Sequence, residues 1–300
     1  MTNATVTRDT RIGLIGLGIM GAPVARHLRE CGYPLTVWNL EPEYFERVEK
    51  SGAEWADSPA EVFAACDIVL VCVLGDDALR SVCLGENGFA SAGKGAGLVI
   101  DLSTTSPQAT LEIAEALKDK TGARWLDAPM SGGPQPAGEG KLTLMIGGSE
   151  ALCSSARPLL DDIGSTITRI GELGDGQKAK ILNQAIVGVN YILMAELLAV
   201  CRAADIDADL IRNALKGGLA DSSILQRIFP QMYQEDFDPP RSYARQVNKD
   251  LKSVKTFVKQ LGLELPLLDV SIERYAEYTD AGNEMMDSAS VSRLYQDTGT

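Results

Sequence analysis

A chain of 300 residues is longer than one typical domain, and its 45% hydrophobic and 23% charged residues are the balance of a globular protein that buries a substantial core. The net charge of −13 argues against nucleic acid or a membrane as a partner, so a binding site for an acidic ligand must gather its few cations locally. A single histidine, His27, excludes a His-clustered zinc site, and no metal is expected.

The first ten residues hold no apolar stretch, so no signal peptide is visible. The six cysteines (Cys31, Cys66, Cys72, Cys83, Cys153, Cys201) form no CxxC pair, which points to reduced thiols and a cytoplasmic setting. From Arg11 to about Ile170, short β-rich runs alternate with amphipathic stretches. Ile12–Ile15, Leu35–Trp38, Ile68–Val73 and Leu98–Asp101 read as strands of a buried parallel sheet, with Trp125–Leu126 and Leu142–Ile146 as later strands. Pro23–Cys31, Pro42–Lys50, Pro59–Ala65 and Pro107–Lys120 read as helices, each with proline in or near its first turn. The alternation predicts an α/β fold, a doubly wound Rossmann domain over 1–175.

After Gly176 the pattern becomes helical, and 176–300 is expected to be an all-α substrate and dimerisation domain. Gln177 to about Ala204 is one long helix whose only glycine is Gly188, followed by helices at Asp207–Lys216, Gln246–Leu261 and Leu267–Tyr278. The apolar surface of the long helix is too wide for one narrow stripe. That predicts burial on several sides, with subunit contact in a homodimer or homotetramer, and not a membrane span.

Gly16, Gly18 and Gly21 stand in G-x-G-x-x-G spacing directly after the first strand and before the first helix. The three glycines suit a tight turn, close approach of backbone to a pyrophosphate, and close helix–strand packing. A purely structural glycine turn is the plain alternative, and the register of strand, turn and helix speaks against it. About 20 residues on, where a carboxylate would hold the adenosine ribose, the second strand ends in Val37-Trp38-Asn39-Leu40-Glu41. Asn39 could bond a ribose hydroxyl without repelling a 2′-phosphate. No Arg follows it, which tilts towards NAD, while Arg47 keeps NADP open. His27, on the first helix, is expected to be structural or solvent-facing.

Three further segments carry chemistry. Asp101-Leu-Ser-Thr104 lies at the carboxyl end of a strand, where doubly wound sheets bind ligands. Asp127-Ala-Pro-Met-Ser131-Gly132-Gly133 can offer a hydroxyl and successive N–H groups to a carboxylate. At the start of the long helix, Lys180, Asn183 and Gln184 share one face in apolar surroundings, which favours a desolvated, functional lysine over a solvated one.

With Gly174-Asp-Gly-Gln-Lys-Ala-Lys180 and Asn248-Lys-Asp-Leu251, these motifs resemble the β-hydroxyacid dehydrogenase family, which includes 3-hydroxyisobutyrate dehydrogenase and tartronate semialdehyde reductase. The resemblance spans nearly the whole chain. It implies hydride transfer between NAD or NADP and a small 3-hydroxy acid or its semialdehyde, with the active site in the cleft between the two domains. It implies Lys180 as the catalytic acid/base and Ser131, Gly132, Gly133, Asn183 and Gln184 as substrate-binding residues. The cofactor set it implies is Gly16, Gly18, Ile19, Met20, Gly21, Asn39, Leu74, Thr104 and Lys249. Lys180-Ile-Leu-Asn183-Gln184 and Gly217-Gly-Leu-Ala220 are closer to the tartronate semialdehyde reductase branch. Two positions depart from the family: Leu40 where NADP users often carry Arg, and Gln246-Val-Asn248 where a His commonly precedes Lys249. These bear on cofactor and substrate, not on the reaction class.

An ordinary lysine, with a pKa of about 10.4, is a poor base at neutral pH, and burial brings it nearer a useful range. Two rival readings remain. Imine reductases share the architecture but usually have Asp or Tyr in place of Lys180. A non-catalytic dinucleotide-sensing dimer would leave the Lys–Asn face without purpose.

Overall fold

The computed structural model of the chain describes residues 5–296; residues 1–4, where the N-terminal reading above begins, and 297–300 lie outside them. The chain divides into two compact units, one ending at Lys180 and the other starting at Ile181.

The first unit is built on strands β1 (Ile12–Ile15), β2 (Leu35–Trp38), β3 (Glu54–Trp55), β4 (Ile68–Val71), β5 (Leu98–Asp101) and β6 (Arg124–Asp127). They run parallel in the order β3-β2-β1-β4-β5-β6. Every residue of β1, β4 and β5 is buried, as the unbroken apolar runs predict for a sheet covered on both faces. Side chains alternate between two cores. Ile12, Leu14, Leu70 and Ile100 face α1 (Gly21–Glu30), and Ile15, Val69, Val71 and Val99 face α2 (Pro59–Ala65), α3 (Gly75–Leu84) and α4 (Pro107–Thr121).

Beyond β6 the sheet changes direction. β7 (Met130–Ser131) and β8 (Leu142–Gly147) flank the short helix α5 (Pro134–Gly138), and β8 is antiparallel to both β6 and β7. Helix α6 (Glu150–Ile163) then leads to β9 (Gly164–Gly171), which pairs with β8 in parallel. Helices α3, α5 and α6 and strands β3, β7 and β9 lie where the residue pattern predicts no element. A helix is expected over Pro42–Lys50, where the structure has two short 3-10 segments, Pro42–Arg47 and Glu49–Ser51. The stretch is nonetheless anchored, with Val48 buried between the two segments and Tyr44 and Phe45 packed against the core.

Helix α7 (Asp175–Ala203) crosses the boundary between the units. The second unit continues with α8 (Ala208–Leu215), α9 (Ser223–Tyr233), α10 (Ala244–Gln260) and α11 (Pro266–Tyr278). Of these, α9 was missed, because Pro230 inside it reads locally as a stop. The core of this unit joins Ile192, Ala195 and Leu198 of α7 to Phe229, Leu251 and Tyr275. Gly188 has a packing reason: a Cβ there would run into the Leu251 side chain, so glycine lets α10 approach α7 closely.

Helix α7 is less buried than its composition suggests. Leu182, Ile186, Leu193, Leu197 and Val200 are all exposed. At about 100° per residue these five fall within a stripe about 60° wide. By length and composition α7 could also cross a membrane, a test that the core helix of a soluble protein passes as well.

Candidate active site

In the first unit, the expected cofactor residues gather at the carboxyl ends of the parallel strands. The glycine turn follows β1, Asn39 follows β2, Leu74 caps α3 just after β4, and Thr104 lies in the loop after β5. On either side of β1 the strand order reverses, towards β2 on one side and β4 on the other, which is where open α/β sheets form their ligand crevice.

Gly16 has φ +97, and a Cβ there would collide with the Cys72 carbonyl at the end of β4. A Cβ at Gly21 would collide with the Gly16 carbonyl, so glycine is required for α1 to start so close to the turn. Gly18 is different, with nothing within 4 Å of its would-be Cβ. A bare, open backbone between two packed glycines is the cradle a pyrophosphate needs. Ile19 and Met20 beside it are half-exposed, and the first turn of α1 carries no acidic residue to repel an anion. The residues present therefore fit a dinucleotide.

Asn39 is buried and its amide is engaged inside the fold. Its Oδ1 accepts from Leu17 N at 2.7 Å, and its Nδ2 donates to the Glu41 carbonyl at 3.1 Å and to Glu41 Oε2 at 2.8 Å. It pins the glycine turn and holds the exposed Glu41 carboxylate in place. Arg47 donates to the Leu17 carbonyl at 3.1 Å and lies over the Tyr44 ring at 3.6 Å. His27 is half-buried, with Nε2 2.8 Å from the Asp162 carbonyl, on the side of α1 that packs on α6.

Ser131, Gly132 and Gly133 are half-buried in the loop between β7 and α5. Gly132 and Gly133 have φ +142 and +91, conformations a side chain would strain. Beside Gly132 the Pro136 and Leu142 side chains leave no room for a Cβ without a shift, so glycine suits the position on packing as well as on backbone grounds.

Lys180 sits in the second turn of α7 and is only 6% exposed. Lysine is among the residues least often buried this far. The turn before it is tied to the sheet. Asp127, at the end of β6, accepts from Gly174 N and Gln177 N at 2.8 Å each. Gln177, fully buried, accepts from Thr105 N at 3.1 Å through Oε1 and donates to the Ser103 carbonyl at 2.9 Å through Nε2. Asp101, on the strand beside Asp127, accepts from Ser103 N at 2.9 Å and from the Thr105 hydroxyl at 3.3 Å. Burial pushes the Asp101 carboxyl up to about 7, against the lowering effect of the Ser103 bonds and with Asp127 adding to the rise. Burial also raises Asp127, opposed by its two backbone N–H donors. Asp101, Asp127 and Gln177 stand within the motifs read from the sequence, but their spacing assigns them no task. The signal available was a carboxylate ending an otherwise apolar buried strand.

The remaining expected residues form a chain of polar contacts in the second unit. Asn183 Nδ2 donates to Gln184 Oε1 at 2.8 Å, Gln184 Nε2 donates to Asp250 Oδ2, and Lys249 Nζ is 3.0 Å from Asp250 Oδ1.

A doubly wound sheet with an open glycine cradle at its switch point defines a dinucleotide-binding protein. Residues 11–171 match the model of the NAD binding domain of 6-phosphogluconate dehydrogenase, and residues 174–295 match that of the NAD-binding of NADP-dependent 3-hydroxyisobutyrate dehydrogenase. The chain is 34% identical over 281 residues to the 2-hydroxy-3-oxopropionate reductase of Escherichia coli K12, an alignment covering 94% of this chain and 95% of that one. The solved 3-hydroxyisobutyrate dehydrogenase of Salmonella typhimurium is similar at a TM-score of 0.87 and 30% identity, over 95% of this chain and 100% of that one. The Mycobacterium tuberculosis 3-hydroxyisobutyrate dehydrogenase solved with L-serine is similar at a TM-score of 0.84 and 26% identity, over 96% and 99%. The chain belongs to the β-hydroxyacid dehydrogenase family, and it is an NAD(P)-dependent hydroxyacid dehydrogenase.

Proposed function

We propose that this enzyme interconverts a small 3-hydroxy acid and its semialdehyde, with Lys180 moving the proton. The observation that carries the reading is the burial of Lys180 in a helical turn held to the cofactor-binding sheet by Asp127 and Gln177. When bound, the nicotinamide supplies or accepts the hydride. Lys180 as a neutral amine takes the hydroxyl proton in oxidation, and as an ammonium donates it to the carbonyl oxygen in reduction. Ser131, Gly132 and Gly133 receive the substrate carboxylate, Asn183 and Gln184 orient the substrate, and Thr104 and Lys249 contact the cofactor. The substrate class includes glycerate with its tartronate semialdehyde, 3-hydroxyisobutyrate, L-serine and threonate-like acids. The E. coli relative supports the first of these.

NAD is the preferred cofactor in this reading. Glu41, held by Asn39 at the end of β2, would accept a bond from the ribose hydroxyls and repel a 2′-phosphate. The exposed apolar stripe of α7 supports a homodimer in which a second copy covers it. The six cysteines, all free thiols, are in keeping with a reducing, cytoplasmic setting.

The test is Lys180→Ala, assayed over that substrate panel with NAD and with NADP. A fall in kcat of about 100-fold or more, with dinucleotide binding retained, is expected. A variant with near wild-type kcat on its best substrate refutes the assignment.

A further inference from the structure

We infer that Asp127 and Gln177 are positioning residues that set the height and rotation of the first turn of α7, and through it the place of the Lys180 amine. The inference rests on the reading of Lys180 as the proton-transfer group.

A helix start normally satisfies its free N–H groups with a nearby side chain. Here the two N–H groups of Gly174 and Gln177 are taken instead by one carboxylate from β6, 47 and 50 residues earlier in the chain. The local acid, Asp175, is turned to the Glu172 N–H and to Lys178. Room for the Asp127 carboxylate is made by two glycines. A Cβ on Gly147 would run into Asp127 Oδ1, and one on Gly176 would lie 2.7 Å from Oδ2 and 2.8 Å from Gly147 N. No residue larger than glycine fits at either position without moving the carboxylate.

Gln177 supplies the second fixed point. Its amide pairs with Thr105 N and the Ser103 carbonyl as a backbone neighbour would, and so fastens the helix to the loop after β5. That loop is stiff in its own right, because Ser103 and Thr105 are both bonded to Asp101 and Ser103 Oγ accepts from Val73 N at 3.0 Å. Attachment at β6 alone would leave the helix free to rotate about that contact. A second attachment at β5, through a different side of the turn, removes the rotation. Lys180 follows Gln177 by three residues, less than one helical turn, so little of that definition is lost before the amine. Proton transfer needs its group placed to within a fraction of an ångström, and a shift of about 1 Å costs on the order of 100-fold in rate.

The experiment is a double-mutant cycle of Gln177→Met and Lys180→Ala in the full chain, with kcat, KM, dinucleotide Kd from fluorescence, and Tm read for each variant. Gln177→Met is expected to lower kcat by about 10- to 100-fold and to leave the dinucleotide Kd within about threefold. On the Lys180→Ala background it is expected to have almost no further effect, because the amine it positions is gone. A purely structural role would lower Tm and leave kcat of the folded enzyme unchanged, and that result overturns the inference. So does a loss of equal size on both backgrounds. If Gln177→Met does not fold, Gln177→Asn, which keeps an amide but cannot span both partners, is read by the same criteria. If Lys180→Ala alone keeps full kcat, the parent reading of the lysine fails first. If Lys180→Ala is inactive and the Gln177 variant is not impaired, only the positioning role fails.

Discussion

Asp101→Asn tests the electrostatics beneath the site. Asp101 is fully buried at the end of β5, facing Ser103 N, the Thr105 hydroxyl and, across the strand pair, Asp127. Burial lifts its pKa from the ordinary 3.8 to about 7, so the folded protein keeps a proton that the unfolded chain gives up. The stability this contributes is complete below the unfolded pKa and is lost as pH rises through the folded one. A shift of about three units corresponds to about 4 kcal/mol, of which about 2.5 kcal/mol disappears between pH 5 and pH 8. Asp127, raised in the same direction by burial, adds to the slope. Carboxylates held low by surface partners, such as Asp67 bonded to Arg11, act with the opposite sign and only at the acid end, below about pH 4. Asn at 101 resembles the protonated acid and does not titrate. The urea midpoint of the wild type is expected to fall steadily from pH 5 to pH 8, while that of the variant falls much less, the two converging only below about pH 4. A flat or rising wild-type midpoint, or equal slopes in the two proteins, refutes the reasoning.

Two further outcomes are expected. Glu41→Gln removes the charge that Asn39 holds at the end of β2, where we propose the ribose binds, and leaves Arg47 as a nearby cation, so the ratio of kcat/KM for NADP over NAD should rise about 10-fold. An unchanged ratio places cofactor choice elsewhere. Ile186→Glu combined with Leu197→Glu puts two charges into the exposed stripe of α7, and light scattering should show the mass falling to that of the 32.1 kDa monomer. A wild type already monomeric at micromolar concentration, or a variant that keeps the oligomeric mass, removes α7 as the interface.

Much of this protein was legible from its residues in order. Strands β1, β4 and β5 announce themselves as apolar runs, and the glycine turn and the proline-led helices follow from backbone chemistry that acts over a few residues. The strand β9 was not legible, because what decides it is its pairing with β8, which no local pattern records. The site divides in the same way. Spacing put Lys180, Asn183 and Gln184 on one helix face and Gly16, Gly18 and Gly21 in one turn. Only the folded chain could turn Asn39 inwards onto Leu17, leaving Glu41 outermost, and bring the Asp127 carboxylate to the start of α7. Hydrophobic periodicity and turn chemistry are written locally, residue by residue. A hydrogen bond between atoms 47 residues apart leaves no local trace, and its donor and acceptor meet only once the sheet that carries them has formed.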